Sequence, residues 1–324
     1  MLSRVADSIY WIGRYLERAE NVARFVDVNL NLMLDLANVA KEQWEPLVQV
    51  TSDADLFRRS YGKPSRENVI RFLTFDATYP NSILSCINAA RDNARSVREV
   101  ISSEMWEQVN AFYHTVRRAV DAGAQATSEF YVEVKMASHR FNGVADATMS
   151  HNEAWQFLRL GRMLERADKT SRILDVKYFI LLPDVSEVGS AFDSIQWSAL
   201  LKSASANEMY RKRYRQISPA KIVQFLILDD EFPRAVRYCV KEAEAALHAI
   251  SGTRVGTFAN VAEQRIGRLA AELNYARIEE IISAGLHEYV DSLQFKLNRV
   301  GDAIFATFFS FPPLAAPRGR VAQA

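Results

Sequence analysis

Glycine and proline are scarce in this chain, 12 and 9 among 324 residues. So few turn-formers argue against a β architecture of many short strands and favour long helices. Cysteine is scarcer still. Cys86 and Cys239 are too few for a disulfide framework and too isolated for a metal knuckle. Each sits in an apolar run with helical spacing, which fits a small buried hydrophobe. An excess of one charge is also lacking. The 40 Lys and Arg against 39 Asp and Glu leave a net charge of +1, so no global field draws the chain to nucleic acid or to an anionic membrane. No uninterrupted apolar stretch reaches the roughly 18 residues of a spanning helix. The best, Ala303 to Phe311, ends at Pro312-Pro313. The start, Met1 to Asp7, has no apolar core of a signal peptide, and a reducing cytoplasm is the expected compartment.

What the chain does contain is one stretch written twice. Gly13-Arg14-Tyr15-Leu16-Glu17-Arg18-Ala19-Glu20, then Arg24 and Asp27, returns as Gly161-Arg162-Met163-Leu164-Glu165-Arg166-Ala167-Asp168, then Arg172 and Asp175. The offset is constant and needs no gap. It lengthens around Leu182-Pro183-Asp184, after which Trp44 matches Trp197, Arg58 matches Arg211, Pro80 matches Pro233 and Cys86 matches Cys239. This predicts two helical repeats, 1–147 and 148–311, packed as one unit with a pseudo-twofold relation, and a disordered tail over 312–324.

Taken in order, apolar residues at Ile12, Leu16, Ala19, Ala23, Val26 and Leu30 predict a long first helix, Arg4 to about Ala40, with Ser3 as its cap. Ser52 or Asp53 is expected to cap a short helix through Tyr61, and Ser65 the next. A break is expected at Asp76, with Pro80 at the first position of a new helix. Helices follow over Ser103 to Gly123 and Ser128 to Phe141, the latter ending at an Asn142-Gly143 turn. Ser150 to Glu153 reads as a capping box. Gly252 to Gly256 reads as a loop, before two last helices, Val261 to Ala284 and Leu286 to Phe309. Val48 to Thr51 and Phe130 to Val134 have strand propensity but no hairpin turns, so no significant sheet is expected. The fold class is all-α.

On a helix, Gly13, Glu17, Glu20, Arg24 and Asp27 form one stripe, as do Gly161, Glu165, Asp168, Arg172 and Asp175. Arg14, Arg18, Arg162 and Arg166 flank them about 100° round. Glu17 has Arg14, and Glu20 has Arg24, within pairing distance on the same helix. Exposed pairs contribute only about 0.3–0.5 kcal/mol each, too little to account for the whole set appearing twice. Three readings compete. The favoured one is a polar seam, in which the two helices cross at Gly13 and Gly161 and exchange Arg–carboxylate pairs. A second is a ligand pocket for a carboxylate, phosphate or peptide, with Arg58, Arg211 and Arg234 as further candidate anion-binding residues. The third, a carboxylate-bridged metal centre, lacks histidine at the required spacing, and the arginines would repel a cation. The five histidines form no metal-ligand pair; His139, before the Asn142-Gly143 turn, is the one to watch. There is no phosphate-binding loop, dinucleotide fingerprint or nucleophile elbow, so neither metal nor cofactor is expected, and no catalytic residue is assigned.

Tyr10 to Asn21, Thr148-Met149-Ser150, Leu160 to Asp168 and Phe232-Pro233-Arg234 resemble the bacterial alpha-E family, all-helical proteins named for a Glu-Arg motif. The resemblance covers nearly the full chain. Pro80-Asn81 stands where the second half has Pro233-Arg234, so a role of Arg234 need not be duplicated. The resemblance implies a setting beside circularly permuted ATP-grasp proteins and transglutaminase-like proteins, in a system that forms or trims peptide amide bonds. It carries no catalytic residues with it. Two functions are therefore expected to compete. The first is a non-catalytic helical partner of such a ligase or of its peptide. The second is an enzyme with Glu17 or Glu165 as general base and arginine as an anion clamp.

Overall fold

The computed structural model describes residues 1–35, 44–49, 51, 53–123, 126–181 and 191–310. Among the described residues there are helices and turns and no strand. In chain order the helices are α1 (Ser3–Asp35), α2 (Glu45–Gln49), α3 (Ala54–Tyr61), α4 (Arg66–Thr74), α5 (Ile83–Ser96), α6 (Ser103–Asp121), α7 (Ser128–Thr148), α8 (Glu153–Leu181), α9 (Ala191–Ser203), α10 (Asn207–Tyr214), α11 (Pro219–Leu228), α12 (Val236–Ser251), α13 (Val261–Tyr275), α14 (Ile278–Ala284) and α15 (Leu286–Ile304). A π-helical turn, Phe305–Phe309, closes the series. None is long and apolar enough to cross a membrane.

The two longest helices, α1 and α8, pack against each other at the centre. The stripe Ile9, Ile12, Leu16, Ala19, Ala23 and Val26 of α1 is buried, and so is Leu160, Leu164, Ala167 and Leu174 of α8, as a three- and four-residue period dictates. On its outer sides α1 carries α5 and α7, while α8 carries α12 and α15. Trp44, Trp197, Cys86 and Cys239 are all buried. Each cysteine Sγ lies near a proline carbonyl, Cys86 at 3.8 Å from Pro80 and Cys239 at 3.5 Å from Pro233.

Several helix ends differ from the expectation. Ser3 is itself the first residue of α1, and the expected end near Ala40 lies outside the described residues, as do Ser52 and the tail 312–324. Asp53 occupies the cap position of α3 without capping it; its carboxylate instead accepts from the Tyr79 hydroxyl at 2.7 Å. Ser65 does cap α4, and the break after Thr74 falls next to Asp76. Pro80 lies in the turn before α5, whose cap is Ser82, accepting from the Ser85 amide at 3.0 Å. The Asn142-Gly143 turn does not form. Phe141 and Ala145 continue the buried stripe of α7, and that burial carries the helix through the glycine to Thr148. The capping box at Ser150 is likewise displaced: Asn152 Oδ1 accepts from Ala154 at 3.0 Å, and Glu153 pairs with the Met1 amino group. The helix expected over Val261 to Ala284 breaks at Ala276-Arg277, where the Glu280 side chain folds back to the Arg277 amide.

Candidate functional site

The site begins with two missing side chains. A Cβ on Gly13 would overlap the Leu158 carbonyl oxygen, and one on Gly161 would overlap the Tyr10 carbonyl oxygen. Backbone therefore meets backbone where α1 crosses α8. That approach carries the residues one turn further along each helix across to the other one.

Glu165 is fully buried and accepts from Arg14 Nε at 2.8 Å and from both Arg18 Nε and Nη2, at 2.7 and 2.9 Å. Lys169 stands 3.5 Å away. Glu17, equally buried, accepts from Arg166 Nε at 2.9 Å and Nη2 at 2.7 Å, and from Arg234 Nη1 at 3.1 Å. Each Glu-Arg dipeptide thus completes the other through a two-pronged guanidinium–carboxylate pair. The expected intrahelical pairing of Glu17 with Arg14 does not occur, because the reach across the crossing claims both. Glu20 does pair with Arg24, at 2.6 Å, and further accepts from Arg234 and Ser138. Asp168 holds Arg172 at 2.9 Å and Lys169 at 3.0 Å. Asp27 reaches Lys135 of α7 at 2.6 Å, and Asp175 reaches His287 of α15 at 2.6 Å.

Two of the three further anion-binding candidates lie elsewhere. Arg58 is exposed and pairs with Glu45 and Asp55, and exposed Arg211 bonds Asn207. Both are solvated faces of short helices. Arg234 is buried within the seam, as is Asn21, whose Oδ1 it also meets at 3.1 Å.

One edge of the seam opens into a cleft of about 680 Å³ between α7, α8 and the start of α12. Its polar lining includes Arg24, Lys135, His139, Arg162, Arg166, Arg234 and one acid, Asp146, and its apolar lining includes Met136, Met163 and Phe232. Arg162 differs from the other motif arginines: Nη1 donates to Asn142 Oδ1 at 3.0 Å, and Nε is buried without a hydrogen-bond partner. His139 Nε2 sits 2.9 Å from Arg24 Nη2 and 3.5 Å from Glu20. His139 was singled out for a turn that is absent; what places it here is its position beside Ser138 on the face of α7 that meets α1. Lys135, Ser138, Asn142 and Lys169 were not anticipated. Lys169 was within reach of the sequence, one helical turn after Glu165, but the other three arrive from a different helix.

The family Alpha-E, described as a predicted alpha-helical domain with a conserved ER motif, matches residues 1–309. The chain belongs to the Alpha-E family. Uncharacterized proteins of Mycobacterium bovis and of two Mycobacterium tuberculosis strains are 22% identical to it over 349 aligned positions. The match covers 98% of this chain and 38% of each relative, so the chain spans well under half the length of the curated relatives it matches. No solved structure matches significantly.

The charge states of this Alpha-E seam follow from opposing forces. Burial pushes the Glu17 carboxyl up, but Arg166 and Arg234 outweigh it and leave it below the ordinary value. Burial acts alike on Glu165, where Arg18, Lys169 and Arg14 prevail and hold it well below. Glu20 is lowered against burial by Arg234 and Arg24, and Asp168 to about 2 by Lys169 and Arg172. Burial pushes both cysteine thiols up to about 12, so neither is a ready thiolate. His139 is lowered by burial and by Arg24 and Arg234, against the pull of Glu20. Among the described residues no three His, Cys, Asp or Glu gather as metal ligands would.

Proposed function

We propose that this Alpha-E chain is a helical accessory or binding protein of a bacterial peptide amide-ligation system, working in the cytoplasm beside a circularly permuted ATP-grasp ligase or a transglutaminase-like protein. Its two matching halves arose by internal duplication around the seam. The observation that carries the reading is the state of Glu17 and Glu165. Both are fully buried and held ionised by two or more cations. A general base works best with a pKa near the operating pH, and a carboxylate locked far below that serves as a structural anchor. The length of the Mycobacterium relatives adds support, since their matching part shares a polypeptide with a larger remainder, as expected of a unit that works next to another.

Co-expression with a circularly permuted ATP-grasp protein from the same genome tests the proposal. The two are expected to co-elute in size-exclusion chromatography, and ligase turnover is expected to rise on adding this chain. Separate elution with unchanged turnover would sink the idea.

A second reading, an enzyme of the same pathway, draws on the cleft and on His139, whose imidazole is the lining group that changes charge nearest neutrality. A His139→Ala variant that folds and keeps the full activity of the reconstituted system removes that reading.

A further inference from the structure

We propose that the cleft beside the seam receives the C-terminal carboxylate of a peptide on Arg162. The inference rests on the binding-protein reading and supplies its ligand.

Arg162 is the odd member of the motif set. Arg14, Arg18 and Arg166 each hold a motif carboxylate. Arg162 lines the cleft, reaches only the neutral Asn142 amide by hydrogen bond, and keeps a buried Nε–H unpaired. Arg162 is half-buried, and although Asp146 and Glu17 act on it through space, no carboxylate hydrogen-bonds it. A buried N–H left unpaired is costly, and its place in the wall of an open cleft is what a site for an anion requires. Its counterpart Arg14 is consumed by Glu165 and packed under α15, where a Cβ on Gly301 would lie 3.7 Å from Nη1. Among the described residues, the repeat therefore supplies this site once.

Charge and shape narrow the ligand. Five cations line the cleft: Arg24, Lys135, Arg162, Arg166 and Arg234. Against them stand Asp146 on the wall and Glu17, Glu20 and Asp27 behind it. One positive charge is left over, which a single carboxylate neutralises and a phosphate dianion overshoots. A planar guanidinium also matches a carboxylate edge to edge. The apolar part of the lining, Met136, Met163 and Phe232, suits an apolar side chain next to that carboxylate. Phe232 and Pro233 are shared with an adjoining depression of about 460 Å³. The ligand path therefore continues past one residue, as a peptide needs and a free amino acid does not.

Isothermal titration of the full chain tests this with a panel of N-acetylated tripeptides bearing apolar C-terminal residues, each as free acid and as C-terminal amide, with inorganic phosphate as competitor. The best free acid is expected to bind one to one. Its amide should bind about ten- to hundredfold more weakly, the range for losing a charge-assisted hydrogen-bonded pair, and phosphate should not displace the acid. Arg162→Gln, which leaves no carboxylate unpaired, should abolish binding. Met136→Trp, a substitution at an exposed residue that fills the cleft from its mouth, should do the same, with thermal unfolding unchanged in both. Failure of every free acid to bind, equal binding of acid and amide, displacement by phosphate, or full binding by both variants would each overturn the assignment. Ligase co-elution is read separately. A wild-type chain that binds the acid but not the ligase refutes the accessory role alone, and one that binds the ligase but no acid refutes this site alone.

Discussion

Glu17 and Glu165 are the carboxylates on which the arginines of the crossing converge. Replacing Glu17 by Gln leaves Arg166 against a neutral amide and Arg234 with Glu20 as its remaining carboxylate, and Glu165→Gln leaves Arg14 and Arg18 against a neutral amide. Breaking a buried pair from one side costs about 3–5 kcal/mol. Both variants should therefore lose that much in urea unfolding, while Arg58→Gln, on the surface, should stay within about 0.5 kcal/mol of wild type. Wild-type stability in either glutamine variant would contradict the seam. At this scale the sequence displayed the right side chains and hid their bookkeeping. Asn81 looks like a lapse in the repeat, because Arg234 is its match. The structure shows a trade. Glu17 has neutral Asn21 on its own helix and charged Arg234 from outside; Glu165 has charged Lys169 on its own helix, and Asn81 bonds Arg18. Each carboxylate thus receives one cation beyond the motif arginines, Arg234 for Glu17 and Lys169 for Glu165, and only three-dimensional proximity relates the two.

For the elements, the crossing of α1 and α8 depends on two hydrogens in place of two methyl groups. Gly13→Ala and Gly161→Ala each drive a Cβ into a backbone carbonyl that cannot rotate away, so the helices must separate. Overpacking of this kind costs about 1–3 kcal/mol, more than the roughly 1 kcal/mol that alanine adds as a helix former. Gly143, inside α7, carries the opposite sign. Nothing lies within 4 Å of a Cβ there, so Gly143→Ala should raise stability by up to about 1 kcal/mol. Differential scanning calorimetry on the three variants reads both signs at once, and a rise in Tm for either seam glycine would refute the close crossing. The crossing was legible because glycine is rare here and both copies sit at the head of a charged stripe. The end of α7 was misread for a related reason: Asn-Gly has strong local turn chemistry, but burial of Phe141 and Ala145 overrides it. Ser150 misled in the same way, since Asn152 lies nearer the first turn and caps it.

Over the whole molecule, scarcity of glycine and proline was enough to establish an all-helical fold, because that inference needs only composition and period. How stability responds to pH required the contacts. Glu17, Glu20, Glu165 and Asp168 are all held below their ordinary values by buried cations, Asp168 at about 2. Their contribution is fully present above the unfolded-state values near 4.5 for Glu and 3.8 for Asp, and is lost as pH falls through the lower folded-state values. In that window the unfolded chain binds more protons than the folded one, so stability rises with pH. The histidines act around neutrality and against each other. His287 is raised by its hydrogen bond to Asp175, so its contribution holds below its unfolded value of 6.5 and fades as pH rises through the folded one. His139 is lowered by burial, so its charging on acidification favours the unfolded chain. Urea midpoints from pH 3 to 8 should therefore be nearly level around neutrality and fall steeply below about pH 4.5. His287→Asn should remove the loss on the alkaline side while leaving the acid limb untouched. Because the seam is shielded from solvent, molar salt should barely move that acid limb, whereas exposed pairs would be screened over a few ångströms. An acid limb that flattens in salt would mean that surface pairs, and not the buried Glu-Arg exchange, set the pH dependence of the fold.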